Sequence, residues 1–127
     1  MGMIQVPVRV TNPLDRTKSF EDNFWVDTGA LYSFIPEKRL EEIGLAPISS
    51  RKIVFADGRQ EKRRFGEAVF SINELGESVT CPVIFAPENS LYLLGATALE
   101  NFGVDVDPVS KKLKPILGII GGFLSSR

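Results

Sequence analysis

The stretch Phe24-Trp25-Val26-Asp27-Thr28-Gly29-Ala30 (FWVDTGA) places an aspartate directly after three large apolar residues. The apolar residues are typical of a buried strand, and Thr-Gly after the aspartate is typical of a sharp turn. Asp27 is therefore predicted to lie where a buried strand ends. It is either an ordinary turn residue or a carboxylate at the floor of a cleft.

The composition indicates one globular domain over residues 1–127, because 43% of the residues are apolar and 24% are charged. With 15 basic and 16 acidic residues the net charge is −1, so no nucleic-acid partner is expected. The basic run at 59–64 (RQEKRR) is interpreted as a solvated strand rather than a phosphate-binding patch. The N-terminal residues do not resemble a secretory signal, and a cytoplasmic location is expected.

An apolar tail over residues 115–127 contains the run PILGIIGGFL. This run is shorter than the ~20 residues that a spanning helix needs, so no membrane partner is expected. The tail is interpreted either as part of a subunit interface or as a segment that packs on its own subunit.

The absence of histidine restricts the possible chemistry. It excludes Ser-His and Cys-His pairs and HExxH zinc sites, and no metal or cofactor is expected. The single cysteine, Cys81, excludes an intrachain disulfide and is predicted to be a buried thiol. Carboxylates are therefore the strongest candidates for acid–base catalysis.

The hydrophobic pattern predicts a mainly β domain, largely antiparallel, with one or two short helices. The predicted elements are strands at 4–10, 20–26 and 92–94, a loop at 11–19, helices at 36–44 and 97–103, and hairpins that turn at 57–58, 74–77 and 107–108. Thr97 is the expected N-cap of the second helix. The hairpin at about 51–70, turning on Asp57-Gly58, is expected to project into solvent.

Three motifs, VDTGA, FADG and LLGATALENFG, occur in this order in the chain. Together they resemble the retropepsin-like (clan AA) aspartic proteases of cellular bacterial and archaeal type, which are related to retroviral proteases and pepsin. The resemblance runs from about Ile4 to Pro115. It implies a small closed antiparallel β-barrel of the acid-protease type, in which the hairpin at 51–70 is the flap.

The resemblance also implies roles for individual residues. Asp27 matches the catalytic aspartate, and the adjoining residues support its loop: Thr28 bonds to the partner subunit's loop, Gly29 allows the backbone to approach closely, and Ala30 follows. The flap residues expected to contact substrate are Ala56, Asp57 and Gly58, and the element expected to pack beneath the loop is Leu94-Gly95. Leu31 and Ala96 depart from the retroviral pattern, which has a polar pair at these positions.

Peptide hydrolysis by this chemistry needs two carboxylates, one as a base and one as an acid. Asp57, Asp105 and Asp107 lie at other turns, and none follows an apolar strand and precedes Thr-Gly. The second aspartate is therefore expected from a second copy of the chain. The sequence predicts a homodimeric aspartic endopeptidase acting on peptide or protein substrates; the alternative is a catalytically weak dimeric peptide-binding or dimerisation module.

Overall fold

The computed structural model describes residues 4–116. This range contains nine β-strands and two short α-helices. The strands are β1 Gln5–Asn12, β2 Asp15–Val26, β3 Ser33–Pro36, β4 Ser49–Val54, β5 Gln60–Ile72, β6 Glu77–Ala86, β7 Leu93–Leu94, β8 Val104–Asp107 and β9 Lys112–Pro115, and the helices are α1 Glu37–Glu42 and α2 Ala96–Phe102. Most of the predicted apolar tail lies outside the described residues.

The first two strands form a hairpin that is longer than the sequence predicts. β1 alternates buried valines with the exposed residues Gln5, Pro7 and Arg9, as expected for a strand with one face on the core. β2 begins at Asp15, so the prediction of a loop over residues 11–19 is wrong except at the turn between the two strands. The added β2 residues are mostly polar and exposed. Such residues give no alternating apolar signal, although Asp15 and Ser19 pair with β1 on either side of a shift in register.

Six strands form a ring in the order β1-β2-β7-β3-β6-β5. The ring closes where Arg9–Thr11 of β1 pairs with Val69–Ser71 of β5, over three residue pairs. Closure of this kind removes free sheet edges. The predicted mainly β barrel is confirmed, with the difference that two of the pairings, β2–β7 and β3–β6, are parallel.

The parallel pairing of β2 with β7 positions the ends of two distant segments. Trp25 pairs with Leu93 and Val26 pairs with Leu94. The residues that follow these two strands, Asp27 and Gly95, therefore leave the barrel side by side. The apolar residues before Asp27 hold this end of the barrel in place, since Phe24 is fully buried and packs against Phe70.

The barrel interior is apolar and encloses the predicted buried thiol. Its largest fully buried side chains include Phe24, Phe70 and Phe85. Cys81 is also fully buried, which confirms the prediction. Burial raises the pKa of the Cys81 thiol to about 11 because the apolar surroundings disfavour the thiolate.

The predicted hairpin around residues 57–58 is formed by β4 and the first half of β5. Ser49 to Val54 pair with Phe65 to Gln60, while β6 pairs with β5 only from Phe65 onward. The hairpin therefore extends beyond the ring, as expected. Gly58 has φ +87°, a left-handed conformation that glycine adopts without strain.

The two helices lie close to their predicted positions, with one error in capping. In α1, Leu40 is buried, and the chain leaves the helix through Gly44 at φ +71°. In α2, the N-cap position is occupied by Gly95, with no side-chain cap. The prediction of Thr97 as N-cap is wrong because its hydroxyl bonds elsewhere. Within residues 4–116, no helix is long and apolar enough to cross a membrane.

Candidate active site

Asp27 lies at the end of β2 and is half-buried. Its backbone N–H donates to the carbonyl of Leu94 at 2.9 Å. The Gly29 N–H donates to Asp27 Oδ1 at 3.0 Å, and the Ala30 N–H donates to the Asp27 carbonyl at 3.2 Å. The carboxylate is therefore oriented by the turn that follows it, and this turn is part of the segment 27–33, called here the active-site loop.

Gly29 permits this close turn. A Cβ atom at position 29 would lie 3.3 Å from Asp27 Oδ1, which is closer than most real Cβ contacts. The small residue therefore leaves room for the carboxylate that its own N–H holds. Thr28 is exposed beside it.

The segment 94–97, called here the brace, is bonded along the active-site loop. In addition to the Asp27–Leu94 bond, the N–H of Ala96 donates to the Ala30 carbonyl at 2.8 Å. Thr97 donates twice to the Leu31 carbonyl, from its N–H at 3.0 Å and from its hydroxyl at 2.7 Å. These bonds fix the loop backbone on both sides of its exposed residues.

A buried serine completes the brace. Ser33 is fully buried, and its Oγ accepts a hydrogen bond from the Gly95 N–H at 3.0 Å. Without this hydroxyl, the N–H at the start of α2 would lose a buried partner, which costs free energy.

Gly95 packs against the loop so closely that no side chain fits. A Cβ atom there would lie 2.4 Å from the Tyr32 carbonyl oxygen and 2.9 Å from that of Ala30. The backbone of Gly95 has φ −89° and ψ 176°, which any residue can adopt. Glycine is therefore needed at this position for space and not for backbone freedom.

The predicted flap residues divide into two groups. Ala56 lines the same cleft as Asp27, whereas Asp57 and Gly58 are outside its lining. The Asp57 carboxylate accepts a hydrogen bond from the Arg59 N–H at 2.9 Å. The Asp57 side chain therefore bonds within its own turn, residues 55–59, called here the flap turn.

The cleft has a volume of about 690 Å³ and lies between the active-site loop, the flap hairpin and the segment before β7. Its apolar lining includes Leu31, Phe34, Ile53, Val54, Leu91 and Leu93. Three of these side chains are unusually exposed for their type: Leu31 at 63%, Val54 at 64% and Leu91 at 58%. Asp27 and Lys52 are the charged residues among the described residues of this lining.

The arginines of the basic run at 59–64 pair with carboxylates. Arg64 contacts Glu37 at 2.7 Å and Glu41 at 2.8 Å, while Arg63 contacts Glu37 at 3.3 Å. Arg63 also donates to the Phe85 carbonyl at 2.9 Å. These contacts tie the base of the flap to α1 and the barrel, and they favour a strand over a phosphate-binding patch, although Arg63 is less solvated than predicted.

The sequence did not indicate the roles of Ser33 and Lys52 in this region. It also did not indicate that the Thr97 hydroxyl bonds to the Leu31 carbonyl. Ser33 and Thr97 act through backbone groups far away in the sequence, and only the β2–β7 and β3–β7 pairings bring those groups near. A serine inside an apolar strand (YSFIP) is the one local signal that could have indicated a buried hydrogen bond. In the described part of the chain, no cluster of three or more His, Cys, Asp or Glu could hold a metal ion.

A family model for aspartyl proteases matches residues 6–98 of the chain. No curated protein sequence matches it. The matched range contains β1 except for Gln5, the strands β2 to β7, the active-site loop, the flap hairpin and the whole of the brace.

The fold is similar to that of three solved proteases. Simian Foamy Virus (mac) protease is 20% identical with a TM-score of 0.54, and the match covers 76% of this chain and 92% of the viral one. A retropepsin-like aspartic protease from Rickettsia conorii is 16% identical with a TM-score of 0.52, covering 88% and 91% respectively. The foamy viral protease-reverse transcriptase, solved with an RNA/DNA hybrid, is 20% identical with a TM-score of 0.54.

The match to the protease-reverse transcriptase covers 96% of this chain, which spans 14% of that longer protein. At these identities the structural similarity shows the fold alone, while the family model shows the family. Together they confirm the resemblance drawn from VDTGA, FADG and LLGATALENFG. The chain belongs to the aspartyl protease family and has the retropepsin-like fold.

Proposed function

We propose that the protein is an aspartic endopeptidase that acts as a homodimer, with Asp27 of both subunits activating one water molecule. The observation that carries this proposal is the number of carboxylates in the described lining of the cleft. Among the described residues lining it, Asp27 supplies the single carboxylate. Peptide hydrolysis by carboxylates requires two, one to accept a proton and one to donate a hydrogen bond.

The other aspartates considered from the sequence do not supply the second carboxylate. Asp57 bonds within the flap turn, and Asp105 and Asp107 belong to β8, in a separate two-stranded sheet. A second copy related by a two-fold axis would place another Asp27 opposite the first. The exposure of Thr28 and Leu31 on the active-site loop is consistent with a surface that a second copy or a substrate covers.

The two carboxylates would share one proton, because like charges held close together repel each other. The ionised carboxylate takes a proton from water while the protonated one donates a hydrogen bond to the scissile carbonyl oxygen. The water oxygen bonds to the carbonyl carbon and forms a tetrahedral intermediate. A proton then passes to the amide nitrogen, the C–N bond breaks, and the products are a carboxylic acid and an amine.

Replacement of the aspartate tests this proposal. Asp27→Asn preserves the shape of the side chain but cannot act as the base, and we expect cleavage of a fluorogenic peptide library to fall by at least ~10³-fold. Asp57→Asn is the matched control and should keep most of the activity. A library that is cleaved equally by Asp27→Asn would contradict the proposal.

Mixed dimers test whether both subunits contribute. When equal amounts of wild type and Asp27→Asn exchange subunits at random, about a quarter of the dimers carry two Asp27 residues. At equal total protein concentration, the activity of the mixture should therefore be about a quarter of that of the wild type. Subunits that act independently would give about half. Retained dimerisation and peptide binding without cleavage by the wild type would instead identify a peptide-binding module; dimerisation alone would identify a dimerisation module.

A further inference from the structure

Lys52 is the only cation among the described residues that line the cleft. It lies in β4, the first strand of the flap hairpin, and its side chain is exposed. The neighbouring lining residues, Ile53 and Val54, are apolar. Because Lys52 is exposed, a counter-charge placed near its ammonium group would interact with it as in an exposed ion pair.

The protein provides no carboxylate for Lys52 within residues 4–116. None of the ion pairs in this range includes it. The residue directly opposite on β5 is another cation, Lys62. The nearest acidic residue along β5, Glu61, contacts Arg59 and Arg63 instead.

We propose that Lys52 is a specificity-determining residue that selects substrates with an acidic side chain near the scissile bond. The inference rests on the proposed peptidase function, because the occupant it assigns to the cleft is an extended peptide. An aspartate or glutamate side chain of the peptide would supply the counter-charge that the hairpin lacks. The apolar residues around Lys52 would hold the peptide's neighbouring side chains.

The position of the acidic residue follows from the reach of the flap strand. Lys52 and Ala56 both line the cleft, and four residues of extended chain span at most about 14 Å. A bound extended peptide rises by a similar amount per residue. With Ala56 as the part of the flap that covers the scissile bond, the acidic preference should fall within about four residues of that bond. In a two-fold symmetric dimer, the second Lys52 would create the same preference on the other side of the bond.

The experiment compares peptides that differ only by Glu or Gln at one position, scanned across the cleaved sequence. At low ionic strength, the wild type should favour Glu over Gln by about 2- to 5-fold in kcat/KM at the selected positions, the range of an exposed ion pair. The preference should decline at high salt, because added ions screen exposed charges.

Variants separate the role of Lys52 from the general charge of the hairpin. Lys52→Gln should remove the preference for Glu, and Lys52→Glu should replace it with a preference for Lys over Gln. Lys62→Gln is the matched control, since Lys62 is a lysine on the same hairpin but outside the cleft lining. It should retain the preference. Equal loss in Lys62→Gln, or an unchanged preference in Lys52→Gln, would overturn the proposal.

A binding measurement distinguishes this inference from the proposed function. Fluorescence anisotropy with Asp27→Asn reports the Glu-to-Gln ratio of Kd without requiring cleavage. Cleavage by the wild type without a Glu preference would overturn the role of Lys52 and leave the peptidase intact. Glu-selective binding that depends on Lys52, without cleavage by the wild type, would support the role of Lys52 and overturn the peptidase function. The absence of both cleavage and peptide binding would contradict both proposals.

Discussion

The active-site loop and the flap turn border the same cleft but are held in opposite ways. Segment 27–33 is bonded to residues 94–97, which are more than sixty positions away in the sequence. The flap turn is bonded to itself, through Phe55 to Arg59 and Gly58 to Phe55. A Cβ atom at Gly58 would meet nothing within 4 Å, whereas one at Gly95 would collide with the backbone of the loop.

Under the proposed function, this difference would give the two regions different roles. A carboxylate that has to meet a second carboxylate needs a backbone whose position is fixed by the barrel. A hairpin that covers substrates of different sequence benefits from contacts that are local and separable from the core. The predictions that follow test whether the two regions differ as strongly in free energy as they do in geometry.

The largest effect on the free energy of unfolding is expected at Gly95. Gly95→Ala should lower the free energy of unfolding by about 3 kcal/mol, because the added methyl group overlaps backbone atoms that the brace holds in place. Urea denaturation measures this loss, and peptidase activity should fall with it. Gly95→Asn should be worse still, since the clash grows with side-chain size. A stability equal to the wild type in Gly95→Ala would show that the loop can move away from the brace.

An intermediate effect is expected at Ser33. Ser33→Ala removes the acceptor of the Gly95 N–H in a fully buried site and should cost about 1–3 kcal/mol. Ser71→Ala is the matched control, because Ser71 shares an exposed hydrogen bond with Ser78 on the neighbouring strand. Its cost should stay within about 0.5 kcal/mol. Similar losses in the two variants would mean that the buried bond gives no special support to the loop.

These two residues also mark the limit of what could be predicted from sequence. The mainly β class, the hairpin around Asp57-Gly58 and the buried thiol were accessible from apolar periodicity and turn residues, which are local signals. The barrel and the juxtaposition of VDTGA with LLGA were accessible from the family resemblance. The hydrogen bonds of Ser33 and Thr97 were not, since each joins segments that only the β2–β7 and β3–β7 pairings bring together. The early start of β2 was missed for another reason: its exposed residues are polar whether they form a strand or a loop.

The smallest effect is expected at Gly58. Gly58→Ala should cost about 1 kcal/mol, because alanine is strained at φ +87° even though the site is open. Gly58→Asn should cost less than Gly58→Ala, since asparagine tolerates left-handed backbone better. The order of Ala and Asn is thus opposite to that expected at Gly95. Thermal unfolding of the Ala and Asn variants at Gly58 and Gly95 measures the order of stability at each position. The same order at both positions would contradict the distinction between a glycine needed for its backbone conformation and one needed for space.

The burial of Cys81 gives the protein a chemically silent background for site-specific labelling. Thiol reagents attack the thiolate, and at neutral pH a thiol with a pKa of about 11 and no exposure to solvent supplies almost none. A cysteine introduced at Asp57, which is exposed on the flap turn, could therefore carry a spin label without removal of the native residue. If two copies assemble, this single substitution labels both flaps, and the interspin distance reports directly how far apart they stand with and without peptide.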